Sequence, residues 1–142
     1  MNNKFFAYSL FVSYPGGTAS EERIPYTCGD ALTPEVIERL TAQICSGRVR
    51  SVQLDDEGRE NSLAADFRDG WATVYIVKEI EHYFEFVNHQ FQAGETPLNI
   101  TGDGPTPQKH ATQDMELMSE IISRFAQTGE VSSACTWEHT VH

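Results

Sequence analysis

The sequence predicts an α+β fold, with a mainly antiparallel sheet of five to six strands and two packed helices, formed by residues 1–142 as a single domain. Three observations lead there. Two segments carry apolar side chains at three- and four-residue spacing between helix-capping residues. Several others alternate with a period of two. The links between consecutive period-two segments are a few residues long, too short for a parallel crossover of about a dozen residues. A chain of 142 residues with 39% apolar side chains forms a core without metals or disulfides, burying roughly two-thirds of the surface it exposes when unfolded.

Phe5 to Ser13 alternates with apolar groups on both faces and reads as a buried strand ended by Pro15-Gly16-Gly17. Its polar interruptions, Tyr8, Ser9, Ser13 and Tyr14, favour that reading over a signal peptide built from Lys4, the apolar run and Gly17-Thr18-Ala19. Thr18 to Asp30 is a loop with a short strand around Ile24–Thr27. Thr33-Pro34-Glu35 starts a helix that runs to about Ser46: a hydroxyl cap, a proline where no amide is needed and an acid at the positive end. Its apolar stripe is Val36, Ile37, Leu40, Ile44 and Cys45, and Gly47 closes it. A strand from Val49 to Leu54 follows, then the turn Asp55-Asp56-Glu57-Gly58. Leu63–Phe67, Trp71–Lys78 and Tyr83–His89 are further strands, joined through Arg68-Asp69-Gly70 and Glu79-Ile80-Glu81-His82. The Gly- and Pro-rich stretch Gly94–His110 leaves the sheet as the chain's mobile loop. Thr112 or Asp114 caps a second helix with the stripe Met118, Ile121, Ile122 and Phe125, ended by Thr128-Gly129. A last strand, Val131–Glu138, sets Ser133, Cys135 and Trp137 on one face.

Charge narrows the function classes. Twenty-one acidic against ten basic residues give a net charge of −11, a field that repels nucleic acid and anionic membrane and attracts basic surfaces. Cysteines 28, 45 and 135 are odd in number, far apart and without a Cys-x-x-Cys pair, so neither a disulfide framework nor a zinc motif is written, and a reducing, cytoplasmic location is expected.

Catalytic patterns are absent from the sequence. Asp66, Asp69, Glu79, Glu81 and Glu85 lack a spacing that pairs carboxylates for acid–base work. His82 and His89 would face opposite sides of one strand, and His139 and His142 lie in a terminal tail. Thr101-Gly102-Asp103-Gly104-Pro105 lacks the lysine and following helix of a phosphate loop. There is no Gly-x-Ser-x-Gly elbow. The expectation is therefore no catalytic residues, no cofactor and no metal, with function by binding.

What stands out is an aromatic cluster, Trp71, Tyr75, Tyr83, Phe84, Phe86 and Phe91, interleaved with carboxylates. Aromatic anchors inside an acidic rim suit a protein interface. Asp55, Asp56, Glu57, Asp66, Asp69, Glu81 and Glu85 are the expected partner-facing residues. The stretch Asp69-Gly70-Trp71-Ala72-Thr73-Val74-Tyr75-Ile76, the Tyr83–Asn88 strand, the Gly/Pro loop, and a helix ending Phe125-Ala126-Gln127-Thr128-Gly129 before Trp137 resemble one family of bacterial immunity proteins. The basic-to-proline turn that often follows the helix in that family is Glu130-Val131-Ser132 here. The resemblance implies inhibition by binding: a cognate, nucleic-acid-directed toxin whose basic active surface the acidic chain would occupy. Two alternatives compete. One is a small-molecule-binding or enzymatic domain with a pocket between the sheet and the Gly94–His110 loop; the other is an adaptor subunit.

Overall fold

The period-two segments become seven strands, and the two amphipathic segments become α-helices. The computed structural model describes residues 5–15, 26–88, 97–101 and 104–142. In chain order the elements are β1 (Ser9–Ser13), β2 (Tyr26–Cys28), α1 (Pro34–Cys45), β3 (Ser51–Asp55), β4 (Ser62–Arg68), β5 (Trp71–Lys78), β6 (His82–Val87), α2 (Met115–Thr128) and β7 (Thr136–Val141). All strands join one sheet in the order β2-β1-β3-β4-β5-β6-β7, and every neighbouring pair is antiparallel. The fold is thus α+β, with seven strands where five to six were expected; the short strand expected around Ile24–Thr27 is the three-residue edge β2.

β3 to β6 form a meander with short turns, and each helix lies on one of the two longer connections, β2 to β3 and β6 to β7. Thr33 caps α1 by accepting the Val36 amide at 3.4 Å. Asp114 rather than Thr112 caps α2, accepting the Leu117 amide at 3.0 Å, while the Thr112 hydroxyl takes the Asp114 amide. The buried stripes, Ile37, Leu40 and Ile44 on α1 and Met118, Ile121, Ile122 and Phe125 on α2, share one core with Leu10, Val52, Leu54, Leu63, Val74 and Ile76. Both helices therefore pack on the same side of the sheet.

The end of α2 is locked by a three-way contact. Gly129 takes the left-handed conformation (φ 74°) and returns its amide to the Phe125 carbonyl at 2.9 Å. A Cβ on Gly129 would stand 2.7 Å from the Phe6 ring. Phe6 meets Phe125 edge-on at 5.6 Å, and the Lys78 ammonium lies 4.8 Å above Phe6 while donating to the Gly129 carbonyl.

Several boundaries differ from expectation. β1 starts at Ser9, because the Phe6 and Ala7 amides donate to the Gln127 and Ala126 carbonyls at 3.2 and 3.0 Å; a helix C-terminus has such carbonyls to spare. The strand is not buried on both faces, since Phe11 is exposed. Asp55 ends β3 rather than opening a turn. The last strand runs from Thr136 to Val141 instead of Val131 to Glu138. Ser132 accepts the Ala134 amide on its hydroxyl and the Trp137 indole N–H on its carbonyl, at 3.1 and 2.8 Å, and so turns the chain there. Of the expected strand face Ser133, Cys135 and Trp137, only Trp137 lies in the strand. His139 consequently lies in β7, stacked on Phe84 at 4.3 Å, and is not part of a loose tail. His89, Phe91, Gly94, Gly102 and the Gly17-Thr18-Ala19 tripeptide fall outside the described residues.

The described part of the Gly/Pro stretch is packed. Leu98 and Thr106 exchange backbone hydrogen bonds at 2.8 and 2.7 Å, Ile100 is buried, and the Arg50 guanidinium holds the Ile100 and Phe67 carbonyls at 2.9 and 3.1 Å. The β5–β6 register stops at Tyr75↔Glu85. Beyond it the segment up to Thr112 wedges in: Ala72 exchanges both backbone bonds with Thr112, and the Asn88 amide donates to the Lys109 carbonyl. Among the described residues no helix is long and apolar enough to cross a membrane.

Candidate partner-binding face

Directly paired residues of an antiparallel sheet share a face, so the register separates the two surfaces. Leu10, Leu54, Leu63, Ile76, Phe84 and His139 form one row on the helix-covered side. The adjacent row on the opposite side is Tyr26, Phe11, Gln53, Ala64, Tyr75, Glu85 and Glu138, spanning all seven strands. A second row there includes Ser9, Asp55, Ser62, Val77, Tyr83 and Thr140. Neither α1 nor α2 packs on this side. Its aromatics reach solvent: Tyr26 is 49% exposed and Tyr75, on an interior strand, 46%. Phe11 and Tyr26 rings lie 4.4 Å apart.

Carboxylates act on the Tyr75 ring. Burial, then the charges of Asp66, Tyr83 and Asp55, in that order, push the Tyr75 phenol above its ordinary value. Of the seven expected partner-facing residues, Asp55, Asp66 and Glu85 share this face, each at an alternate strand position from the core side chains. Asp56, Glu57 and Glu81 lie in the turns at one end of the sheet, and Asp69 turns the chain at the other with φ 55°. The seven therefore do not form one patch. Asp56 in addition organises its own turn, since its carboxylate accepts the Glu60 and Asn61 amides at 2.9 and 3.1 Å and the Asn61 side-chain amide at 3.0 Å. Burial raises its pKa, but these hydrogen bonds outweigh burial and leave it below the ordinary value.

Sequence reasoning missed Glu138 and His110. β7 sets Glu138 directly opposite Glu85. The wedge brings His110, 6% exposed, up to both: Nε2 is 3.8 Å from a Glu85 oxygen and 3.7 Å from a Glu138 oxygen. The other ring nitrogen, Nδ1, lies 2.8 Å from the Phe86 carbonyl, which fixes it as the N–H donor. No signal in the sequence joins these residues, because they arrive from β6, the wedge and β7. A second pairing unforeseen from spacing is His82 Nδ1 against His139 Nε2 at 2.9 Å.

The remaining chemistry is quiet. Burial pushes the Cys135 thiol up to about 11, so it is protonated at neutral pH and a poor nucleophile. A cleft of about 500 Å³ opens beside the start of α2, lined by Phe86, Asn88, Thr112, Leu117 and Cys135 among others. It lies between β6, the start of α2 and the approach to β7.

Together the fold and the exposed face define an acidic α+β protein with one helix-covered and one aromatic sheet surface. The chain matches no protein-family model, and neither the curated proteins nor the solved structures contain a significant match to it. Four of the residues behind the immunity-protein likeness serve the architecture of this fold. Phe125 is core, Thr128 bonds back to the Arg124 carbonyl, Gly129 closes α2, and Trp137 ties down the preceding turn.

Proposed function

We propose that this chain is a binding protein that docks a basic protein surface on the open face of its sheet and, within that reading, an immunity protein that neutralises a nucleic-acid-directed toxin. The observation that carries it is Tyr75: a large aromatic side chain held on an interior strand, half exposed, with Asp66, Asp55 and Tyr83 about it. A rigid sheet spends little entropy in presenting such a ring, and aromatic anchors contribute most at interfaces. The charge of −11 selects the partner, since a protein that grips phosphate presents Lys and Arg, to which this face is complementary.

Co-purification with the product of the adjacent upstream gene tests the reading. Recovery of a basic protein whose toxicity the chain suppresses is the expected result. A partner that is an unrelated metabolic enzyme, with no toxicity to suppress, sinks the immunity reading. Charge reversal at Asp66 and Asp55 to lysine is expected to slow association and flatten its salt dependence; an unchanged rate moves the interface off this face.

A further inference from the structure

We propose that Glu85, His110 and Glu138 form a binding site for one divalent transition-metal ion of the zinc class. The first argument is electrostatic. Glu85 and Glu138 are direct cross-strand partners on one face, and like charges so placed destabilise a sheet. The sheet keeps them together, and a buried imidazole nitrogen points between them. The two carboxylates carry a charge that the exposed Lys109 ammonium, 3.8 Å from Glu138, offsets only in part, so the site still attracts a cation.

The second argument is the orientation of His110. A metal-ligating histidine donates its other ring N–H to a carbonyl or carboxylate, which fixes the tautomer and aims the lone pair. His110 does this through Nδ1 to the Phe86 carbonyl. Its backbone is held as well: its amide donates to the Pro107 carbonyl at 2.9 Å, and its carbonyl accepts the Thr73 hydroxyl at 2.7 Å. The ring is therefore preorganised, with Nε2 bare towards the carboxylates.

Distances fit after a small closure. One ligand atom from each residue lies within 4.8 Å of the others, whereas donors around a zinc ion at about 2.0–2.2 Å stand roughly 3.4 Å apart. The two glutamates are exposed and can swing inward. Lys109 lies 3.8 Å from the second Glu138 oxygen, Oε2, leaving Oε1 to the metal. An imidazole with two carboxylates suits zinc, cobalt or manganese better than calcium or magnesium, which favour all-oxygen shells. Three protein ligands leave a fourth position for water or a partner's side chain. Glu85 lies directly opposite Tyr75 on the open face, but metal binding by the isolated chain and affinity for a protein partner are separate readouts, so either reading can fail alone.

The competing occupant of the space is a proton on Nε2, making His110 an imidazolium between two carboxylates. Glu138→Gln separates the two. Metal-stripped wild-type chain and variant are titrated with zinc chloride by calorimetry and with cobalt chloride by visible absorption, and thermal midpoints are recorded with and without metal. The expected result is one ion per chain, a raised midpoint on adding zinc and a cobalt absorption band, all lost or weakened at least tenfold in Glu138→Gln. Relief of the like-charge pair is also expected to raise the midpoint of the metal-free variant. Glu85→Gln should behave alike, and His110→Asn, which risks misfolding at a buried position, is only a supporting variant. Zinc binding that persists unchanged in both glutamine variants overturns the site. So does an absence of binding, or a metal-free Glu138→Gln that is less stable than wild type, which is the imidazolium outcome.

Discussion

The two faces of the sheet use the same strands to opposite ends. On the helix-covered side the row Leu10, Leu54, Leu63 and Ile76 is buried and chemically uniform. One residue along each strand, the open side mixes Phe11, Gln53, Ala64 and Tyr75 with Glu85 and Glu138. The first side answers to packing alone. The second keeps large rings in water and sets like charges opposite each other, choices that stability does not explain. Stability therefore resides under the helices, and recognition is to be sought on the face they leave open.

Substitutions probe this division, the most costly first. Phe125→Ala removes a fully buried ring that also supports Phe6; a loss of about 3–5 kcal/mol in denaturant unfolding is expected, a large share of a domain's stability. Gly129→Ala combines a positive φ with a Cβ driven against Phe6 and should cost about 1–3 kcal/mol. Asp56→Ala strips three hydrogen bonds from the β3–β4 turn, with an expected loss of about 1–2 kcal/mol. The sign of its pH dependence follows from a folded-state pKa below the ordinary aspartate value of 3.8: the contribution is present above that value and disappears as pH falls through the lower folded-state value. Asp56→Asn should therefore flatten the acid limb of the stability profile measured by thermal melts.

A smaller effect, of opposite sign, is expected in the β5–β6 turn. Ile80 is 60% exposed and holds φ 69°, a region that a β-branched residue enters with strain. Ile80→Asn should raise stability by about 1 kcal/mol, and a melt that shows destabilisation would mean that the side chain makes contacts outweighing the strain.

The covered face was legible in the sequence because burial imposes a period. Thr33, Pro34, Gly129 and the stripes of both helices appear in the structure in the roles their chemistry predicts, except that Cys45, expected in the apolar stripe of α1, is exposed at the helix end. Boundaries failed where local hydrogen bonds intervened: Ser132 captures the Trp137 indole and delays β7, and the spare carbonyls of α2 take the amides of Phe6 and Ala7. The open face was legible only in part. Alternation identifies Asp66 and Glu85 as facing away from the core, whereas Asp55, expected in a turn, ends β3 on that face, and no local pattern tells that Asp56 is occupied by its own turn. Nor does one bring Glu138 and His110 beside Glu85, since that juxtaposition depends on β7 pairing with β6 and on the wedge between β5 and β6.

The most direct test of the open face as the interface is Tyr75→Ala, with affinity for the co-purified partner and thermal midpoint measured on the same preparation. The ring is half exposed, so the midpoint should stay within about 3 °C of wild type, as for a surface substitution. Affinity should fall by about tenfold or more, as for the loss of an aromatic anchor. An unchanged affinity, with the midpoint likewise unchanged, would contradict the assignment of recognition to this face.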